Sequence, residues 1–92
     1  MKLTYTQPRK RVSEYVAVVG DLYIEVDKVA TDYLGWQVFI SRLLDRDAEG
    51  NPETRGSRDA GIYHTFAQTR REAYDLAAAF AEADLILTAA FA

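Results

Sequence analysis

The segment VSEYVAVVGDLYIEV, residues 12–26, decides the fold class of this chain. Val12 to Val19 and Leu22 to Val26 are rich in β-branched and aromatic residues, which favour strands. Between them stands Gly20-Asp21, a two-residue link with glycine first, which suits a type II′ turn. Apolar and polar residues alternate along the second strand, which predicts one buried face and one solvent-exposed face, with Tyr23 on the exposed one. The sequence therefore predicts a β-hairpin.

Two further strands are predicted downstream of the hairpin. Trp36 to Leu44 (WQVFISRLL) is apolar on both faces, which is typical of a central strand, and Ile62 to Phe66 (IYHTF) is the next strand-like run. The polar stretch between them, residues 45–61, contains three glycines, one proline and no large apolar side chain. We expect a long loop there, and loops of this length in compact domains are usually functional or mobile.

A helix is predicted after the last of these strands. Thr69 and Glu72 form a Thr-x-x-Glu capping box, in which each side chain can satisfy an orphan backbone donor. Asp84 interrupts the apolar stripe, while Leu85 to Phe91 is apolar at every second residue. We therefore expect the helix to end near Ala83 and a short final strand to follow. A longer helix to about residue 90 is the alternative. The apolar stripe consists of Ala73, Leu76, Ala77 and Phe80.

These elements predict a single α+β domain over residues 1–92. It would contain a mainly antiparallel sheet of four or five strands with one capped helix packed on one face. Residues 1–11 form a basic lead-in to it, and residues 45–61 form the long polar loop. The predicted core consists of Val16, Val18, Leu22, Ile24, Trp36, Val38, Ile40, Phe66, Leu76 and Phe80.

Composition limits the classes of function. With 49% apolar and 27% charged residues, the chain belongs to the folded class. The absence of cysteine excludes a disulfide framework and a thiolate metal site. Neither a secretory signal nor an apolar run long enough to span a bilayer is found, so we expect a cytoplasmic protein.

The sequence predicts no enzyme, no cofactor and no metal site. His64 is the only histidine, and its place beside Ile62 and Phe66 on one strand face predicts a packed, hydrogen-bonded strand residue. The five glycines do not form a phosphate-binding pattern. Catalysis would need a group titrating near neutrality beside a nucleophile or a metal, and the sequence supplies no such set.

Charge is distributed unevenly along the chain. Residues 1–11 carry four cations and no acid, while the rest of the chain carries 7 bases and 14 acids. An acidic body disfavours general binding to duplex DNA and favours a basic protein or a mixed nucleoprotein surface. A solvated lead-in and a loop whose charges pair internally remain the alternatives. The candidate partner- or RNA-binding residues are Arg9, Lys10, Arg11, Arg42, Arg46, Arg55, Arg58, Arg70, Arg71 and Tyr23.

The stretch HTFAQTRREAYDLAAAF, residues 64–80, is similar to the strand-to-helix junction of the AP2-like arm-binding domains of phage tyrosine recombinases. That junction has the pattern F-x-T-[KR]-x-E-A. Here Phe66, Thr69, Arg70, Glu72 and Ala73 match it, with one extra residue before the threonine. The resemblance implies a sheet followed by a helix and, as the alternative function, a small DNA-binding or regulatory module.

The chain as a whole resembles the small phage-encoded inhibitors grouped as anti-CRISPR proteins. The resemblance is one of type: a small cysteine-free chain with a hairpin, a sheet, one capped helix and no catalytic set. It implies a non-enzymatic inhibitor that docks on a host guide-RNA effector complex and blocks recognition of nucleic acid. The resemblance implies Cas proteins as partners, with contact to the guide RNA in some members, and no small-molecule substrate or membrane. If a phage encodes the chain, its location would be the cytoplasm of the bacterial host.

Overall fold

The computed structural model describes residues 1–10, 12–29, 35–44, 48–50 and 59–91, without the side chains of residues 59 and 60. These residues form four strands and one helix. In chain order they are β1 (Glu14–Val19), β2 (Leu22–Lys28), β3 (Trp36–Leu43), β4 (Asp59–Ala67) and α1 (Arg70–Phe91). The predicted α+β fold is confirmed.

The strands form one antiparallel sheet in the order β1-β2-β3-β4. Each strand pairs with its neighbour in sequence, so short connections are sufficient. The predicted hairpin is present, with Val19 opposite Leu22 and Gly20 at a φ of 58°. This positive φ is what a type II′ turn requires at its first position, and glycine adopts it without steric cost.

The helix begins with the predicted cap. The backbone N–H of Glu72 donates to Thr69 Oγ1 at 3.1 Å, and the Glu72 carboxylate accepts from the backbone N–H of Gln68 at 3.2 Å. The carboxylate therefore reaches one residue further back than in the usual capping box. One orphan donor of the first turn, the N–H of Glu72, and the N–H of the residue before the cap are satisfied in this way.

The predicted end of the helix near Ala83 and the final strand over Leu85–Phe91 are wrong. The helix is continuous to Phe91, as in the longer alternative. Asp84 does not interrupt it, because its carboxylate accepts a hydrogen bond from Arg42 on β3 at 2.6 Å. Leucine and alanine have high helix propensity, and this outweighs a short alternation of apolar residues.

Three alanines on α1 bring the helix close to the sheet. Ala73, Ala77 and Ala81 are fully buried at a spacing of four residues, so small side chains face the sheet on successive turns. Opposite them lies the buried centre of the sheet, and Tyr63 of β4 stacks on Phe80 at 4.6 Å. The buried centre of the sheet consists of Ala17, Leu22, Ile24, Val26, Val38, Ile40 and Ala67.

Three predicted core residues, Val16, Val18 and Phe66, lie on the other side of the sheet, and two of them are exposed. Val18 and Phe66 are each 47% exposed. Strands β1 and β4 have apolar residues on both of their faces, so the alternation of apolar and polar residues does not show which face the helix covers. Val16 is buried on the same side as Val18, and Trp36, Leu76 and Phe80 are half-buried against the core.

The N-terminal residues pack against the domain. The ring of Tyr5 stacks on Tyr74 of α1 at 4.0 Å, and Thr6 forms an isolated antiparallel bridge to Val16 on β1. The terminal ammonium lies 3.2 Å from the Glu82 carboxylate. The first part of the predicted lead-in is therefore attached to both the helix and the sheet.

Strand β4 begins earlier than predicted, at Asp59 rather than Ile62, so the end of the predicted 45–61 loop belongs to the sheet. Residues 45–47 and 51–58 of that loop lie outside the described residues. Within the described part of the chain, no helix has the length and apolar character needed to cross a bilayer.

Candidate functional site: the open face of the sheet

The helix covers one face of the sheet, and the opposite side is here called the open face. Side chains alternate along a strand, so the residues between the buried ones point to this side. From Tyr23 to Asp27 on β2 and from Gln37 to Ser41 on β3, each residue on this side half-buries its side chain, and Leu43 at the end of β3 is buried. The open face consists of Glu14, Val16, Val18, Tyr23, Glu25, Asp27, Gln37, Phe39, Ser41, His64 and Phe66.

An aromatic cluster forms the part of the open face on β3 and β4. Phe39 and His64 are directly opposite in the strand register, and their rings stack with centroids 4.0 Å apart and an interplanar angle of 9°. Phe66 follows on the same strand face, with its ring centroid 5.1 Å from that of His64. The cluster of these three rings presents π surface to solvent, because His64 and Phe66 are exposed.

Acidic side chains occupy the part of the open face on β1 and β2. Glu14 lies opposite Asp27 in the register, and Glu25 follows on the same face of β2. Burial, and next the nearby charge of Glu14, raise the pKa of the Asp27 carboxyl above its ordinary value. Among the described residues, Asp27 Oδ1 is a buried acceptor with no hydrogen-bond partner. This part of the face is suited to a cationic group.

The predicted basic arm lies at this acidic end. Arg9 donates to the Glu14 carboxylate at 2.8 Å while its own side chain is 70% exposed. The hydrogen bond to Glu14 raises the pKa of the Arg9 guanidinium. Lys10 is exposed, and Arg11 lies outside the described residues. Arg9 therefore already makes a contact within the chain, and Lys10 is accessible.

Arg42 has a structural position rather than a place on the open face. Its guanidinium donates to Asp21 at 2.8 Å and to Asp84 at 2.6 Å, and so links β3 to the hairpin turn and to the helix. The hydrogen bond to Asp21 is the largest cause of its raised pKa. A guanidinium that bridges two carboxylates has few donors left for a partner.

Arg70 and Arg71 both lie in the first turn of the helix, at the end of the sheet where β4 finishes. Arg70 donates to the Tyr15 hydroxyl at 2.7 Å, and its guanidinium carbon lies 4.8 Å from the Tyr15 ring centroid and 5.8 Å from that of Tyr74. Such contacts combine a hydrogen bond with cation–π attraction. Arg71 is exposed at the same end.

The structure brings only some of the predicted site residues together. Tyr23 lies on the open face, half-buried, opposite Val18 and Ser41. Arg42 is at the hairpin end of the sheet, because it pairs with Leu22, and is thus remote from Arg9 and Arg70. The candidates Arg46, Arg55 and Arg58 lie outside the described residues.

A groove of about 360 Å³ lies away from the open face, between the N-terminal residues and the helix. Its walls include Leu3, Tyr5, Tyr74 and Ala78. Burial raises the pKa of Tyr5 to about 12, with a smaller effect of Tyr74. The groove is the seam along which the N-terminal segment packs on α1, and the aromatic and acidic side chains of the open face are not part of it.

The described residues contain no group of three or more histidine, aspartate or glutamate side chains placed to hold a metal ion. The open face instead offers stacking surface, apolar area and carboxylates, a combination that supports binding.

Comparison with protein-family models, with curated proteins and with solved structures finds no match for this chain.

Sequence reasoning missed the central residues of the open face. The sequence places Phe39 only in a strand with two apolar faces and predicts that His64 is packed, whereas His64 is exposed and stacked on Phe39. One signal in the sequence points to an apolar surface away from the helix: the segment IYHTF has large apolar residues on both of its faces. Ile62 and Phe66 alternate with Tyr63, so one of the two sets had to lie away from the helix.

Proposed function

We propose that this protein is a non-enzymatic binding protein that docks through the open face of its sheet. The single observation that carries the proposal is the stacked cluster of Phe39, His64 and Phe66 on the side of the sheet opposite the helix. Aromatic side chains contribute large contact area at low entropic cost and are enriched where binding energy is concentrated.

The charge of the same face supports a basic partner surface. Glu14, Glu25 and Asp27 lie beside the aromatic cluster. Carboxylates next to aromatic rings suit arginine side chains, because a guanidinium pairs with a carboxylate and stacks on a ring. A nucleic acid would bring phosphates against these acids, which is unfavourable. The observations therefore favour protein over bare nucleic acid.

The specific partner that we propose is a host guide-RNA effector complex, with the protein acting as a phage-type inhibitor. The surfaces that hold nucleic acid in such complexes are basic, and an acidic, aromatic face would occupy such a surface and exclude target DNA. Lys10 and Arg71 are exposed cations outside the open face, and could contact guide-RNA phosphate at its border. Steric and electrostatic occlusion is the proposed mechanism.

The test measures binding of the purified chain to purified guide-RNA effector complexes, with free guide RNA and free duplex DNA as separate arms. We expect a Kd of about 1 µM or tighter for an effector complex, loss of its target-DNA binding, and weak binding to either free nucleic acid. Failure to bind any effector complex and to protect phage from matched immunity would overturn the proposal. Tight, salt-dependent binding to duplex DNA would instead support the AP2-like module.

A further inference from the structure

Strand β4 forms one edge of the sheet. In the described part of the chain, its inner side pairs with β3 and no segment pairs with its outer side. The other edge is different, because Thr6 bonds to β1 through both backbone groups of Val16 at 2.8 Å. An open edge presents unpaired N–H and C=O groups, which can pair with another chain.

The strand registers define which groups point outward from β4. Both backbone groups of Val16 bond to Thr6, so they point away from β2. Val16, Glu25, Phe39 and His64 lie opposite one another in a row across the four strands. In an antiparallel sheet, two residues that lie opposite each other either both bond to each other or both bond away from each other. Glu25 therefore bonds toward β3, Phe39 bonds back toward β2, and the N–H and C=O of His64 point out of the sheet. Phe66, two residues on, points the same way.

Over Tyr63–Ala67, the outer side of β4 lacks the charges and prolines that usually protect an edge strand. Proteins commonly place lysine, proline or other charges there, and the stretch from Tyr63 to Ala67 contains none. The register shifts between Ile40 and Ser41 of β3, which leaves Ile62 as an extra residue and limits the regular stretch to Tyr63–Ala67. Thr65 is the centre of that uncharged stretch.

We propose that two copies of this chain pair antiparallel through β4, about a two-fold axis at Thr65, into one continuous eight-stranded sheet. Thr65 then faces Thr65 of the second copy as a non-hydrogen-bonded pair. His64 faces Phe66 of the second copy, and each such pair exchanges two backbone hydrogen bonds. Both helices lie on one side of the joined sheet, and both open faces lie on the other.

A second copy is the occupant that the side chains at this edge favour. Each chain carries a net charge of −3, so most contacts between copies bring acids together. The acids of the open face lie on β1 and β2, on the far side of the sheet from this edge. Pairing about Thr65 places only neutral side chains opposite one another, and threonine pairs and aromatic pairs stabilise antiparallel strands.

The pairing also completes a feature already present in each chain. His64 stacks on Phe39 across β3 and β4 with centroids 4.0 Å apart. In the proposed dimer, Phe66 of the second copy continues the same row of side chains on the other side of His64. Phe66 is 47% exposed in the single chain, and the pairing covers part of that area.

The test uses the absence of cysteine in the chain. In the proposed dimer, the Cα atoms of the two Thr65 residues are about 4.5 Å apart, within the range that a disulfide bridges. Thr65→Cys should therefore form a covalent dimer under mild oxidation. Val18→Cys, on the same sheet but on the far edge strand, is the matched control and should cross-link at least about 10-fold more slowly.

A second measurement uses the unmodified chain alone. Sedimentation at concentrations up to about 0.5 mM should give twice the chain mass, and Thr65→Lys, which places like charges opposite, should restore the single-chain mass. Circular dichroism would verify that each variant is folded. A single-chain mass throughout, or equal cross-linking of the Thr65 and Val18 variants, would overturn the proposal. No partner is present in these measurements, so they fail independently of the proposed function.

Discussion

Arg42 on β3 donates to Asp84 on the helix at 2.6 Å, across 42 positions of sequence. The same guanidinium donates to Asp21 in the hairpin turn at 2.8 Å. One side chain thus connects the turn, the third strand and the second half of the helix. It explains why an acidic residue at position 84 continues the helix rather than ending it.

Arg42→Ala should lower the free energy of unfolding by about 1 kcal/mol, because it leaves two partly buried carboxylates without their shared donor. Chemical denaturation measures the change. Asp75→Ala, which removes an exposed acid from the same helix, is the control and should change stability by less than about 0.5 kcal/mol. Equal effects of the two variants would show that Arg42 has no structural role.

Gly35→Ala should destabilise the fold by roughly 1–3 kcal/mol. Gly35 has a φ of 70°, and an added Cβ would collide with the carbonyl oxygen of Ala67 at the end of β4. Gly50→Ala is the matched control, since Gly50 has a φ of 84° but no atom of the described residues lies within 4 Å of the added Cβ. The difference in melting temperature between the two variants isolates the steric contact, and a difference of zero would contradict the close approach.

Asp27→Asn should stabilise the protein at neutral pH. Burial raises the pKa of the Asp27 carboxyl in the folded state, so the folded chain holds that proton more tightly than the unfolded chain does. The contribution of this group to stability therefore falls as pH rises from its ordinary value of 3.8 through the raised pKa. The advantage of the variant should be full above that window and vanish below it.

Thermal unfolding of both proteins between about pH 3 and pH 8 measures this dependence. Asp75→Asn, which neutralises an exposed acid on the helix, provides the control for the removal of one negative charge. A stabilisation by Asp27→Asn that grows at low pH would contradict the assigned direction of the shift.

Replacing Arg9, Lys10 and Arg11 together with alanine should leave the melting temperature nearly unchanged, because an exposed ion pair such as Arg9–Glu14 contributes little stability. Binding to the proposed effector complex should weaken, and more strongly at low salt than at high salt, since the lost contacts are electrostatic. Calorimetry and binding measurements at two salt concentrations test both parts. A collapse of stability would assign the segment a structural role.

The hairpin and the helix cap could be predicted because their signals are local. Gly20-Asp21 and the Thr69–Glu72 pair each determine the backbone over a few residues, and both are present. The end of the helix could not be predicted, because it depends on a contact between Asp84 and Arg42 that only the fold creates. A short run with apolar residues at every second position cannot by itself distinguish a strand from a helix that such a contact stabilises.

The open face was only partly predictable, for a related reason. Leu22, Ile24 and Val26 alternate cleanly with polar residues, so the buried side of β2 was correctly assigned. Strand β1 has apolar residues on both of its faces, and the sequence does not show that Val18 lies opposite Tyr23, so the prediction of Val18 in the core is wrong. The same ambiguity concealed Phe66, whose side of β4 follows from the stacking of Tyr63 on Phe80.

The central claim is that the open face binds the partner, and two phenylalanines test it most directly. Phe66 belongs to the aromatic cluster and is 47% exposed, while Phe91 lies at the end of the helix and is 86% exposed. Phe66→Ser and Phe91→Ser remove the same side chain from these two places. The measurement is the Kd of each variant for the effector complex that binds the unmodified chain, with folding verified by circular dichroism. We predict a loss of at least about 10-fold for Phe66→Ser and no loss for Phe91→Ser; equal affinities, or a loss confined to Phe91→Ser, would contradict the account.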